Sequence, residues 1–519
     1  MKKIKKIIFP LSLVLLLAAC NRNTSSSASI EPSKSDSVSS EPASSSESQQ
    51  SESSAEVSSE NSVAPSSESS VEPVVSSEEP VVSSEEPVVS SEESEQPQET
   101  TSSIEEVTSS VSEEPSETSS EAPIPAGDIT LIDPEDTSML TENCKAYIDA
   151  MHEQEELLDD PYKYHDLFGE NGVTVEDYLD TGDVNGQNKT VNGQIPDRSD
   201  KNMGVTLNFE SALDLEAKDY KVLVSLEDDF TDAIECDVEE NDGGYSANVK
   251  NLFVNTEYFW KVVSDEEESD VASFTTGDYP RWISARPLYN VRDNGGYMTE
   301  SGQRVKQGLV FRGGEITSTT MSGHYNTIAD SSKEVFQKVM GIGFELDLRG
   351  STDIYDGYKA CAFSDEDYPI EYEMHAIKSY EETFTKTRTE VKPIFENILA
   401  HADEKPVYYH CFGGADRTGT LGFLLNGLLG VSYTDLVIDF ELTSYSSINN
   451  EHIRNHIPGH QHQYDRWPAL INQIKTDTTG GYAWDDDALL KDNIYNFLSE
   501  ACNVDTDALD HIIEIMLED

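Results

Sequence analysis

The chain has 519 residues, 100 of them Asp or Glu and 35 Lys or Arg, for a formal charge of −65. That balance argues against nucleic acid and anionic lipid as partners, because both would be repelled. Six cysteines, Cys20, Cys144, Cys236, Cys361, Cys411 and Cys502, are too few and too far apart for a disulfide framework.

Residues 1–20 have a basic start, an apolar run of about a dozen residues and the ending Leu17-Ala18-Ala19-Cys20. The run is too short to span a bilayer and reads as a signal peptide. The ending resembles a bacterial lipobox, which implies that Cys20 is acylated, becomes the mature N-terminus and anchors the chain to the outer face of the cell membrane. Residues 21–125 are Ser, Glu, Pro and Val with almost no aromatics, a composition that cannot bury enough apolar surface to offset ordering entropy. A seven-residue repeat runs from Val71 to Glu93, but the proline in each unit excludes a coiled coil. An extended acidic stalk is expected, roughly 60 Å across as a random coil and longer with self-repulsion.

Beyond the stalk, residues 126–190 predict a helix over Thr141–Leu158 and then an irregular stretch without assignable chemistry. From 191 to 278 the pattern becomes short alternating strands: 204–209, 220–225, 244–249, 256–263 and 270–275. Turn-rich spacers between them predict a β-sandwich. The run Asn255-Thr256-Glu257-Tyr258-Phe259-Trp260-Lys261-Val262 and the closing Ser273-Phe274-Thr275-Thr276-Gly277 resemble a fibronectin type III module, which implies a spacer or a protein-binding surface.

Residues 279–519 predict an α/β domain with its site at the carboxyl ends of the strands. The expected elements are a helix over 332–340, strands over 344–348, 372–376 and 407–409, a helix over 388–402, and a helix from near Arg417 to Gly430. Four further helices, over 433–442, 467–476, 487–502 and 505–517, would cover the sheet. The organising stretch is Lys405–Gly430, a short strand ending in His410-Cys411, a glycine-bearing loop and a helix. Cys411 and Arg417 stand at the two ends of that loop. Backbone N–H groups turned inward and the helix N-terminus would hold a tetrahedral dianion. Gly413 and Gly414 let the backbone curl, Arg417 offers a planar fork to two phosphate oxygens, and the same positive field lowers the thiol pKa of Cys411. Phe412, Ala415, Thr418 and Gly419 complete the loop.

His410-Cys411-(x)5-Arg417-Thr418-Gly419 resembles the signature of the cysteine-dependent tyrosine and dual-specificity phosphatases. Upstream, in order, stand Asn290-Val291-Arg292-Asp293-Asn294-Gly295-Gly296-Tyr297, then Arg312-Gly313-Gly314-Glu315, then Asp347-Leu348-Arg349. That series is similar to the bacterial branch called tyrosine phosphatase family 3. The resemblance implies a phosphatase without metal or cofactor, with Cys411 as nucleophile, Arg417 binding phosphate and Asp416, beside the arginine, as general acid. Other tyrosine phosphatases carry the acid on an upstream loop, where Asp353, Asp356, Asp365 and Asp367 are available. Thr418 is placed to hydrogen-bond the thiolate, and His410 to fix the loop and the thiol pKa. Asp347 is placed to orient Arg417 or Arg349, and Arg312 belongs to the supporting set. Members active on lipids carry lysine where this chain has Ala415, so the resemblance implies a phosphotyrosine-type substrate, with a phosphoinositide or inositol-polyphosphate phosphatase as the alternative. A catalytically silent surface adhesin is the third class.

His452, His456, His460 and His462 are spaced so that two could meet on a helix face. Pro458-Gly459 breaks that helix and no H-E-x-x-H string occurs, so they are read, with Arg454 and Arg466, as a polar loop near the mouth of the site, and no metal is expected.

Overall fold

The computed structural model describes residues 129–155, 175–178, 202–212, 215–286, 288–316, 330–351, 360–446 and 466–518. Cys20, the stalk, Asp353, Asp356 and the four histidines of 452–462 lie outside them. Among the described residues no helix is long and apolar enough to cross a membrane.

The amino-terminal part consists of two antiparallel four-stranded sheets. One runs β1 (Ile129–Ile132), β2 (Val205–Ser211), β6 (Gly244–Val249), β5 (Glu239–Asn241), and the other β4 (Ile234–Asp237), β3 (Lys221–Ser225), β7 (Glu257–Val263), β8 (Ala272–Thr275). Alternation along each strand sends Val205, Leu207 and Phe209 of β2, Val222 and Val224 of β3, and Tyr258, Trp260 and Val262 of β7 into one shared apolar core. All five expected strands are present, each within two residues of its expected bounds, and three more join them. β4 and β5 are only three or four residues long and acidic on their outer positions. β1 comes from the segment with no assigned chemistry and pairs with β2 across more than 70 intervening residues.

A third sheet, of order β12 (Glu371–Met374), β11 (Phe344–Asp347), β13 (Val407–His410), β10 (Val310–Gly313), β9 (Arg292–Asp293), is parallel except for β9. All four residues of β13 are buried, as expected for a central parallel strand covered on both faces. Gly313 and Asp347 both lie in register with His410, so the chain leaves three adjacent strands at one edge of the sheet.

The helices follow in chain order: α1 (Glu142–Glu155), α2 (Asp330–Glu334), α3 (Glu381–Lys386), α4 (Val391–Ala402), α5 (Asp416–Leu429), α6 (Tyr433–Leu442), α7 (Arg466–Thr476), α8 (Leu490–Asn496) and α9 (Thr506–Met516). α5 ends where Gly430 takes φ 87°, a left-handed cap that only glycine adopts without strain. Ser432 caps α6 through the Asp435 N–H, and Asp505 caps α9. Two expected helices prove less regular: α2 passes into a π-turn at Val335–Val339, and α8 into another at Phe497–Ala501.

α1 buries Cys144, Tyr147, Ile148 and Met151 in the same core as the five-stranded sheet. Its Tyr147 hydroxyl donates to Glu441 of α6, and His152 pairs with Asp435 at 2.9 Å. Arg281 ties the two sheet systems together. Its guanidinium donates to the Asn251 carbonyl (2.9 Å), the Leu252 carbonyl (3.1 Å) and the Asp293 carboxylate (2.7 Å).

Candidate active site

The chain turns sharply after His410, and Cys411 is the first residue past β13. Gly414 has φ 65°, and a Cβ there would collide with the Gly313 backbone, so glycine is required both by conformation and by space. The carbonyls of the loop are drawn to donors around it. The Phe412 oxygen accepts from the Glu315 N–H (3.1 Å) and the Tyr289 hydroxyl (3.2 Å). The Asn290 amide donates to the Gly413 and Gly414 oxygens (3.2 and 2.9 Å), and Arg312 Nη2 also donates to Gly414 (3.1 Å). Because a peptide N–H points opposite its C=O, this bracing aims the loop's N–H groups at the concave side, as an anion cradle requires.

Cys411 is buried and is a free thiol. Burial alone would raise its pKa, but the Arg417 charge and hydrogen bonding from Thr418 outweigh that penalty and the opposing charge of Asp416, so the thiol sits below its ordinary value. The Thr418 hydroxyl is wholly buried beside that sulfur. Arg417 is half-buried at the other end of the loop and donates to the Leu348 carbonyl at 3.4 Å. Asp416 opens α5, and its Oδ1 accepts from the Tyr380 hydroxyl at 2.8 Å. Sulfur, guanidinium and carboxyl thus come from one seven-residue stretch wrapped at a sheet edge.

Residues 283–518 match the model of the tyrosine phosphatase family. No curated protein matches the chain. The matched stretch takes in the loop and every upstream motif, and it supports a tyrosine phosphatase domain in this part of the chain.

Beneath the loop lies a fully buried charge network. His410 presents Nδ1 to the Cys411 carbonyl (3.0 Å) and Nε2 to Glu345 (2.8 Å), so both ring nitrogens face acceptors. Burial disfavours its charged form, but Asp347 and Glu345 together hold its pKa above the ordinary value. Asp347 chelates Arg349 through Nε and Nη2 (2.9 and 2.8 Å), which settles which arginine it orients, and it also accepts from Tyr372 (3.1 Å). Burial would raise its pKa, yet His410 and Arg349 keep it low. Arg349 reaches on to Glu315 at 2.7 Å, and burial pushes that carboxyl up to about 7 against the pull of Arg349. Ligand atoms of Glu345, Asp347 and His410 lie within 4.8 Å of one another, a spacing a metal could use. Each is already engaged, however, in the hydrogen bonds just described.

A second hub supports the loop from the other side. Asp439 of α6 receives Arg312 through Oδ2 and Arg292 Nε through Oδ1 (3.2 Å), and Arg292 also donates to Asn290. Arg312 therefore supports the loop by gripping Asp439 and the Gly414 carbonyl together. Gly422 makes room for it, since a Cβ there would lie 2.6 Å from Arg312 Nη1. Neither Asp439 nor Glu345 was foreseen from the sequence. The available signal was a charged residue within an otherwise buried apolar run, Leu436-Val437-Ile438-Asp439-Phe440 in one case and Phe344-Glu345-Leu346 in the other. Asn290 and Glu315 stood in the quoted motifs without a role. Of the upstream acids, Asp365 is ion-paired to Lys333 (2.6 Å) and closes a turn onto the Asp367 and Tyr368 N–H groups, and Asp367 is exposed. Arg466 is exposed and pairs with Glu381 at 3.1 Å.

Proposed function

We propose that this domain hydrolyses phosphotyrosine-type phosphomonoesters through a cysteinyl-phosphate intermediate. The observation that carries the reading is a buried Cys411 at the base of a loop whose carbonyls are held by outside donors, with Arg417 at its far end, where its charge lowers the thiol pKa. In the first step the Cys411 sulfur attacks phosphorus, the bond to the leaving oxygen breaks, and Asp416 gives that oxygen its proton. In the second, Asp416 takes a proton from a water whose oxygen attacks phosphorus, the sulfur–phosphorus bond breaks, and the thiolate is regenerated. Arg417 and the loop N–H groups bear the charge of the transferring group, and Thr418 steadies the departing thiolate.

Ala415 favours a single phosphoryl group as substrate, since a buried methyl brings no cation to the rim for a multiply phosphorylated ring. The sequence of residues 1–20 supports export and a lipid anchor at Cys20, with the stalk lifting the enzyme from the membrane. The two-sheet module, fibronectin type III-like in sequence, then serves as a spacer held to the catalytic part through Arg281. The test is turnover of p-nitrophenyl phosphate and a phosphotyrosyl peptide, against phosphoinositides at equal concentration, by wild type and Cys411→Ser. Activity on the first two that vanishes in the variant supports the reading. Substantial residual turnover by Cys411→Ser refutes the nucleophile, and preference for phosphoinositides refutes the substrate class.

A further inference from the structure

We infer that Tyr380 is a positioning residue for Asp416, fixing the carboxyl in the orientation that proton transfer requires; the inference rests on the phosphatase reading above. Tyr380 is buried, and two hydrogen bonds clasp it to the start of α5. Its hydroxyl donates to Asp416 Oδ1 at 2.8 Å, and its N–H donates to Thr420 Oγ1 at 2.9 Å. The Thr420 hydroxyl donates in turn to the Asp416 carbonyl at 2.9 Å. Side chain and backbone of the acid are thereby held by one tyrosine and the threonine it binds.

The backbone of Tyr380 points the same way. At φ 53° and ψ −131° it occupies a region that suits glycine and strains a residue with a Cβ. Such a conformation persists only where the surroundings over-determine it, and it concentrates at functional sites. Here the Tyr380 carbonyl accepts from the Thr383 N–H (3.0 Å), and the ring sits edge-on to Phe440 with centroids 6.4 Å apart. The phenol is thus delivered to Asp416 from a fixed direction at the cost of local strain.

Chemically, a phenol on Oδ1 directs the transferable proton of Asp416 to Oδ2. A donated hydrogen bond also favours the carboxylate over the acid, which suits the second step, where Asp416 must accept a proton from water. Deleting the hydroxyl should therefore disorder the carboxyl and raise its pKa.

The experiment measures kcat and KM against pH for full-length wild type, Tyr380→Phe, Asp416→Asn and the double variant, on p-nitrophenyl phosphate and on phenyl phosphate. Phenylalanine keeps the ring packing, and a melting curve for each variant checks the fold. The expected result for Tyr380→Phe is a fall in kcat of about tenfold with KM nearly unchanged, since orientation rather than binding is lost. The basic limb of the profile should move up by about half a unit. The loss should be larger for phenyl phosphate, whose leaving group needs its proton more. In the Asp416→Asn background the further effect should shrink to about twofold or less, because the two residues act as a unit. A Tyr380→Phe profile that superimposes on wild type overturns the inference, as does an equal loss with and without Asp416 and no movement of the limb. Absence of turnover in the wild type itself overturns the phosphatase reading, an outcome distinct from either.

Discussion

Replacing Asp439 by asparagine removes one negative charge and almost no volume. Two arginines then lose their counter-charge in a site where Arg292 is 0% and Arg312 is 1% exposed. Burial already pushes the pKa of Arg292 down, and Asp439 is the leading force opposing it. Breaking a buried pair from one side costs about 3–5 kcal/mol. Arg292 keeps its bonds to Asn290 and the Asp439 carbonyl, and Arg312 its bond to Gly414, so the low end, about 3 kcal/mol, applies. At roughly 2–4 °C per kcal/mol for a domain of this size, the melting temperature should drop by about 6–12 °C. Because Arg312, which holds the Gly414 carbonyl, loses its charged anchor, the loop should be held less firmly and kcat/KM should fall by about tenfold or more. Asp435→Asn on the same helix is the control. Its partner His152 is substantially exposed, and loss of such a pair is worth under about 1 kcal/mol. The assay is thermal unfolding by circular dichroism beside steady-state turnover. If Asp439→Asn melts no lower than Asp435→Asn and keeps wild-type kcat/KM, the hub does not support the loop.

Gly414→Ala should abolish turnover, since the new methyl would strike the Gly313 backbone at a residue with positive φ, whereas Gly427→Ala within α5, where the methyl meets Ile494 at ordinary contact distance, should retain it. Gly422→Ala should lower kcat/KM by displacing Arg312, and a structure of that variant should show the Gly414 carbonyl reoriented. Since Arg417 and Thr418 hold the Cys411 thiol below its usual value despite burial, iodoacetate inactivation should persist to lower pH than for a free cysteine, and Arg417→Ala should move that profile upward. Asp477 is held down to about 2 because its bonds to Arg388 and the Thr479 N–H outweigh burial. With its folded pKa depressed, it contributes stability above about pH 4 that is lost as the pH falls toward 2, about 1–2 kcal/mol after allowance for solvent screening. Asp477→Asn should remove that part of the acid sensitivity of the melting temperature.

Local pattern carried most of what the sequence revealed. The alternation in Tyr258-Phe259-Trp260-Lys261-Val262 is a property of neighbouring residues, so it could be read without a fold. The cradle from Cys411 to Arg417 was legible for the same reason: its glycines, nucleophile and arginine fall within a single turn of chain. What escaped was held by distance. Arg312 and Asp439 stand 127 positions apart, and Tyr380 and Asp416 stand 36 apart. Their pairing follows from which helix is laid against which strand, and nothing in either segment announces it. β1 escaped likewise, because a four-residue strand is fixed by its partner more than by its own sequence.

The central claim is that phosphorus passes through the Cys411 sulfur. Rapid acid quench of the full-length enzyme during turnover of p-nitrophenyl phosphate, followed by peptide mass spectrometry, tests it directly. A peptide spanning Cys411 that carries one phosphoryl group in wild type and none in Cys411→Ser is the predicted result. Full turnover with no phosphorylated peptide, or with the label on another residue, would contradict it.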